Sequence, residues 1–189
     1  MAVKRDPGLP DVLDRIEAFR QDTAEPVFGE ADLQAVAGSP EAIQMLIDIA
    51  GDEQAPLGRR YAAAEAIAQS GATDILAKDA AAARVAAMLA TAMTHDEIHN
   101  RWGVPGQFVG GTGKLLLALG PGVRDALLPL LADERPLDII GSQAATLHHA
   151  HRYRIRDLAS YLLAVDRGVP WQDDPDPAVR DRSIGKFER

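Results

Sequence analysis

Cysteine is absent from the chain, which rules out disulfides and thiolate metal sites. Aromatic residues make up only 5% against 47% hydrophobic residues. The apolar material is therefore mostly alanine and aliphatic, which suits close-packed helices better than a β-sandwich. No apolar run reaches the roughly 20 residues that a bilayer-spanning helix needs. The opening "MAVKRDPGLPDVLDR" has basic residues but no apolar stretch, so it does not read as a signal peptide. Positive charge is also short. A net charge of −8 disfavours phosphate-backbone binding, which depends on surplus lysine and arginine. The expectation is a cytoplasmic protein whose partners, if charged, are basic. Membrane and nucleic acid are not expected partners.

Two catalytic signatures are missing as well. No GxSxG nucleophile motif occurs, and no carboxylate pair has a spacing that marks acid–base chemistry. The stretch "GQFVGGTGKLLLALG", Gly106–Gly120, superficially looks like a phosphate-binding loop. The GxxxxGK[ST] pattern wraps phosphates in glycine amides and holds magnesium with the final hydroxyl. Counting back from Lys114, Phe108 stands in place of the first glycine, and Leu115 in place of the hydroxyl. The preceding "HNRWGVP" is no buried strand. The plainer expectation is a loop feeding a helix, with Thr112 as N-cap and Gly120 as the stop. No cofactor is expected.

What the chain does contain is a repeat. "LIDIAGDEQAPLGRRYAAAEAI", Leu46–Ile67, and "LLPLLADERPLDIIGSQAATL", Leu127–Leu147, share a plan: an apolar stretch, an acidic loop ending in proline, then small residues. Aligning Pro56 with Pro136 pairs Leu57 with Leu137, Ala64 with Ala144 and Ile67 with Leu147 without a gap. The prolines lie 80 positions apart, and Pro177 in "DDPDPAVRDRSIGKF" follows 41 positions after Pro136. A degenerate copy is expected between the first two, near Asp96. There "AAARVAAMLATAM" places Val85, Met88, Leu89 and Ala92 on one helical face and ends at a turn near Thr94–Glu97.

A period of about 40 with two helices per unit falls in the HEAT/armadillo range. "DPDPAVRDRSI" resembles the inter-helix loop and second-helix start of short bacterial HEAT repeats, with Pro177, Val179 and Arg180 in the usual places. "DEQAPLGRRYAAAEAIAQSG" is a looser match with Arg59 in the arginine position, and the copy at Pro136 departs by placing Ile139 there. The resemblance covers about residues 38–189. It implies an all-α solenoid of stacked antiparallel helix pairs in one domain. The expected parts are N-terminal capping helices over 1–37, repeats over 38–77, 78–120 and 121–166, and a final loop and half-repeat over 167–189. Within this plan, "DVLDRIEAF" sets Val12, Ile16 and Phe19 on one face, and Ser39-Pro40 opens the first repeat. Ile155, Leu158, Leu162 and Val165 form a stripe, and Gly168–Pro177 is a loop.

The candidate sites are three. "HDEIH" resembles the HExxH of zinc proteases, but Asp96 stands where the catalytic glutamate belongs and no third ligand accompanies His95 and His99. "TLHHAHRYRIRD" gathers His148, His149, His151, Arg152, Arg154 and Arg156; it reads either as a solvated helix junction or as a patch for an acidic group. "NRWGVPGQFVGG", Asn100–Gly111, interrupts the degenerate repeat and carries Trp102 and Phe108. These rings are either interface anchors or plugs for the core.

A HEAT-like stack implies a curved surface for a protein partner. The leading expectation is a non-catalytic interaction protein, such as an immunity protein against a toxin, an adaptor or a chaperone. Its partner surface would include Trp102, Phe108, the three histidines and the three arginines. The resemblance also implies an enzymatic alternative, as in HEAT-type bilin lyase subunits or HEAT-like DNA glycosylases, the latter disfavoured by the acidic charge.

Overall fold

The computed structural model describes residues 9–19, 26–96 and 98–187. The first eight residues and Glu97, which figure in the sequence reading, lie outside that set. Among the described residues the protein is all-α apart from one small hairpin. No helix is long and apolar enough to cross a membrane among them.

Three helices open the fold: α1 (Leu9–Ala18), α2 (Glu30–Ala37) and α3 (Pro40–Gly51). Val12 and Ile16 of α1 are buried, as their spacing predicts, with Phe19 packed beside them. The start of α3 is set locally. Ser39 Oγ accepts the Ala42 N–H at 3.2 Å, and Pro40 occupies the first turn, where its missing N–H costs no helical bond.

α4 (Leu57–Gln69) follows Pro56 and runs through the middle of the N-terminal half. Tyr61 to Ile67 are seven consecutive buried residues, four of them alanine. An amphipathic surface helix would show one stripe. Here the alanines let α1, α2 and α3 close in on several sides. The chain continues through α5 (Thr73–Lys78) and α6 (Ala82–Met93). On α6, Val85, Met88, Leu89 and Ala92 are all buried, as expected.

A 3-10 turn over His99–Arg101 leads into the hairpin β1 (Gly103–Val104) and β2 (Phe108–Val109). The strands are antiparallel with Gly103 opposite Val109 and Val104 opposite Phe108. α7 (Gly111–Ala118) and α8 (Gly122–Leu127) come next, α8 running into a 3-10 segment over Leu128–Ala132. The last three helices are α9 (Ser142–His151), α10 (Ile155–Asp166) and α11 (Pro177–Ile184). Neighbouring pairs pack in chain order: α3 on α4, α4 on α6, α6 on α8, and α10 on the 3-10 segment that ends α8.

The expected equivalence of Pro56 and Pro136 fails. Leu57 opens α4, but Leu137 lies in extended chain, and α9 begins only at Ser142. Residues 133–137 instead pair with the start of α10: Leu137 N–H bonds Tyr153 O at 2.9 Å, Ile155 N–H bonds Arg135 O at 2.9 Å, and Arg156 N–H bonds Asp133 O at 2.9 Å. The side chains of Ala144 and Leu147 lie outside the described ones. Val165 also leaves its predicted stripe and is exposed, while Ile155, Leu158 and Leu162 are buried.

The C-terminal half is locked by a buried ion pair. Asp157, in the first turn of α10, is fully buried, and so is Arg180 of α11. Arg180 Nε donates to Asp157 Oδ1 at 3.1 Å, and Arg154 Nε donates to Asp157 Oδ2 at 3.0 Å. Arg180 also donates to the His151, Asp174 and Pro175 carbonyls. Burial alone would raise the Asp157 carboxyl, but the hydrogen bonds from Arg154 and Arg180 outweigh it and hold it below the ordinary carboxylate range. Removing one partner of such a pair strands a buried charge. Asp157→Ala should therefore lower unfolding free energy by about 3–5 kcal/mol, read by urea denaturation. A loss near zero would show the pair to be incidental.

Candidate functional site

The glycines of the phosphate-loop look-alike have a packing role. A Cβ placed on Gly110 would run into the Arg101 carbonyl, and one on Gly113 into the Trp102 carbonyl. The start of α7 lies directly on the backbone that leads into the hairpin, an approach open only to glycine. Gly110, not Thr112, is the N-cap of α7 and brings no side-chain cap. Thr112 turns inward. Its Oγ1 donates to Glu65 Oε1 at 2.6 Å and so must accept from Tyr61 OH, 3.1 Å away. Burial and the nearby Glu65 charge push the Tyr61 phenol well above its usual value. Tyr61 is therefore a neutral donor, and Lys114 is exposed on the outside of α7.

The "HDEIH" stretch is also committed to structure. Asp96 is buried; its Oδ2 accepts Trp102 Nε1–H at 3.0 Å and its Oδ1 accepts the Ile98 N–H at 3.0 Å. Arg101, buried beside it, brings Nη1 to 3.8 Å from Asp96 Oδ2. His99 is buried between two chain segments. Its Nε2 lies 3.1 Å from the Met93 carbonyl and its Nδ1 accepts the Asp138 N–H at 2.9 Å, while its own N–H bonds Asp138 O at 2.8 Å. Nδ1 accepts, so Nε2 carries the proton. Asn100 extends the clasp: Nδ2 donates to Ile140 O at 3.0 Å and Oδ1 accepts the Ile140 N–H at 2.9 Å. Both ring nitrogens of His99 are thus engaged, and exposed His95 has its Nδ1 3.0 Å from the Thr91 carbonyl. His99 has no ring nitrogen left for a metal, and no group of three or more metal-ligating side chains occurs among the described residues.

The two rings of the Asn100–Gly111 insertion part company. Trp102 is 0% exposed, stands 6.3 Å centroid to centroid from Tyr61, and is bonded through its indole to Asp96. It is a core residue and is withdrawn from the expected partner surface. Phe108 is 45% exposed and lines a groove of about 500 Å³ with Ile98, Asn100, Gly110 and Ile140. Ile140, which the sequence reading did not single out, is 56% exposed. Its only sequence signal is a second isoleucine after Ile139, and nothing local says which of the two faces out.

The basic cluster is largely paired with acids, which favours the helix-junction reading over a patch for an acidic group. Arg154 is held by Asp157 and by Asp181, the latter at 2.6 Å, and Arg156 by Glu134 at 2.9 Å. His151 Nδ1 lies 2.8 Å from Asp173 Oδ1, an ion-pair distance without hydrogen-bond alignment. His148 is half-buried, and burial followed by the neighbouring His149 keeps its ring below the ordinary histidine value. His149 and Arg152 are exposed, Arg152 in the left-handed conformation that ends α9. The hairpin and this cluster do meet. The Gly106 turn packs against the Asp173 side chain, which also accepts Tyr153 OH at 2.7 Å. Comparison with family models, curated proteins and solved structures finds no match to the chain.

Two measurements check this geometry. Trp102→Ala should cost about 3–5 kcal/mol of stability, whereas Phe108→Ala should cost about 1 kcal/mol or less. Equal losses in urea melts would contradict the division of the rings. His99 supplies the second. Burial lowers its affinity for a proton, against the opposing pull of Asp96 and Asp138. Below about pH 6.5 the unfolded chain takes up a proton that the folded ring resists, so stability falls with pH until the folded ring titrates. His99→Gln should flatten that decline below about pH 6.5, leaving the share due to His148. An unchanged slope would mean that the clasp does not report on pH.

Proposed function

We propose that the protein is a non-catalytic interaction module, a HEAT-like stack of helix pairs acting in the cytoplasm, that binds a partner protein through the groove beside the hairpin. The observation that carries this reading is the pairing of Phe108 and Ile140 on one groove, both exposed and apolar, beside buried Arg101 and the Asn100 clasp. Exposed aromatic anchors in a recess are the side chains that dominate interface energetics. Scattered exposed apolar residues need no explanation, but two converging on one groove do.

The frame beneath is built to hold them still. Trp102, Asp96 and His99 fix the approach to the hairpin from below, and Asn100 binds the Ile140 backbone through both its amide atoms. Such a surface binds with little ordering cost. The chain packs helix pairs in sequence order, which supports a repeat stack, while the inserted hairpin departs from a regular repeat. A net charge of −8 favours a basic partner by steering the encounter. An immunity protein, adaptor or chaperone would all use such a surface.

The test is capture from an extract of the native organism by immobilised protein, read by mass spectrometry, beside the variants Phe108→Ser and Ile140→Ser. A basic protein retained by the wild type and lost by both variants, whose melting temperatures stay within a few degrees of the parent, is the expected result. Retention of the same protein by both variants would move the interface elsewhere.

A further inference from the structure

A second concave site lies between the end of α10, the loop after it and α11. Its cavity is about 320 Å³, at the small end of the range that ligand pockets occupy. Val169, Pro170, Trp171 and Phe187 form the walls. The indole of Trp171 is fixed from behind: Nε1 donates to Ser160 Oγ at 2.9 Å, and Tyr161 packs edge-on at 5.7 Å. Phe187 is buried and has the Arg167 guanidinium 5.0 Å above its ring.

The rim is cationic. Arg167 and Lys186 both line the cavity, and neither has a carboxylate within ion-pair distance among the described residues. Ser183 adds a hydroxyl at the same edge; its bond to Gln172 Oε1 is long, at 3.4 Å. Two cations over an aromatic slot match a small molecule with one anionic end and a compact apolar body.

We propose that this cavity is a binding site for a small amphipathic carboxylate, an aromatic or short-chain aliphatic acid. Arg167 takes the carboxylate through its planar fork, Lys186 adds a second charge, and the apolar body lies against Trp171 and Phe187. This site shares no lining residue with the groove at Phe108, so the failure of one reading is distinguishable from the failure of the other.

The chain's two tryptophans make the test internal. Trp171 lines the cavity, while Trp102 is buried far along the chain in the hairpin region. The probes are 3-phenylpropionate, octanoate and the uncharged 3-phenylpropionamide, titrated into nitrogen-15-labelled full-length protein. Saturable movement of the Trp171 indole N–H resonance by the two acids, with the Trp102 resonance still, is the expected result. The amide should bind at least about tenfold more weakly, and Arg167→Gln should weaken the acids by about the same factor. Arg167 is exposed, so that variant keeps its fold, which the unmoved Trp102 resonance verifies. No shift at Trp171 up to the solubility of the acids would overturn the proposal. Equal affinity for acid and amide, or acid binding indifferent to Arg167→Gln, would overturn it equally.

Discussion

The contact on which the candidate surface depends is the seating of the first turn of α7 on the carbonyls of Arg101 and Trp102. Only glycine at positions 110 and 113 allows that approach. With the backbone pinned there, Trp102 has nowhere to go but inward, where Asp96 receives its indole. The strand that returns from the turn carries Phe108 outward. A single close approach thus separates two rings of one short loop into a structural ring and a presented one. A glycine-rich loop before a helix serves here to bring main chain against main chain.

Several buried polar groups are committed to partners from a different segment. Thr112 passes a hydrogen bond from Tyr61 to Glu65, His99 ties the end of α6 to the segment at Asp138, and Asp157 gathers Arg154 and Arg180. These bonds add less net stability than the alanine-lined packing around α4, but leaving any of them unmade is costly. They therefore specify which segments meet.

Local signals were legible where they also decided the outcome. Ser39-Pro40 and Asp176-Pro177 each open a helix, the first residue of each pair capping it. Helical periodicity placed Val12, Ile16, Val85 and Leu158 in the core. Failures came where a distant partner outbid a local preference. Pro136 has the same acidic approach as Pro56, but its neighbours are drawn into bonds with Tyr153 and Ile155, a meeting that no local pattern announces. Thr112 has the chemistry of a cap and is claimed instead by Glu65, 47 positions away. Arg156 read as free charge because its acid, Glu134, stands 22 positions off, and Arg154 has one acid, Asp157, three positions away and a second, Asp181, 27 positions away. The groove was half visible: an aromatic insertion marked Phe108, but Ile140 required the Asn100 clasp to bring it alongside.

The Gly106 turn resting on Asp173 has a consequence for how the molecule comes apart. In an ideal linear array each unit touches only its neighbours, so ends can fray while the middle persists. Here the middle of the chain leans on a loop near the far end, and Asp173 in turn holds Tyr153. A strut between distant segments couples their fates. Loosening the last loop withdraws support from the hairpin that presents Phe108, so the two segments are expected to open together.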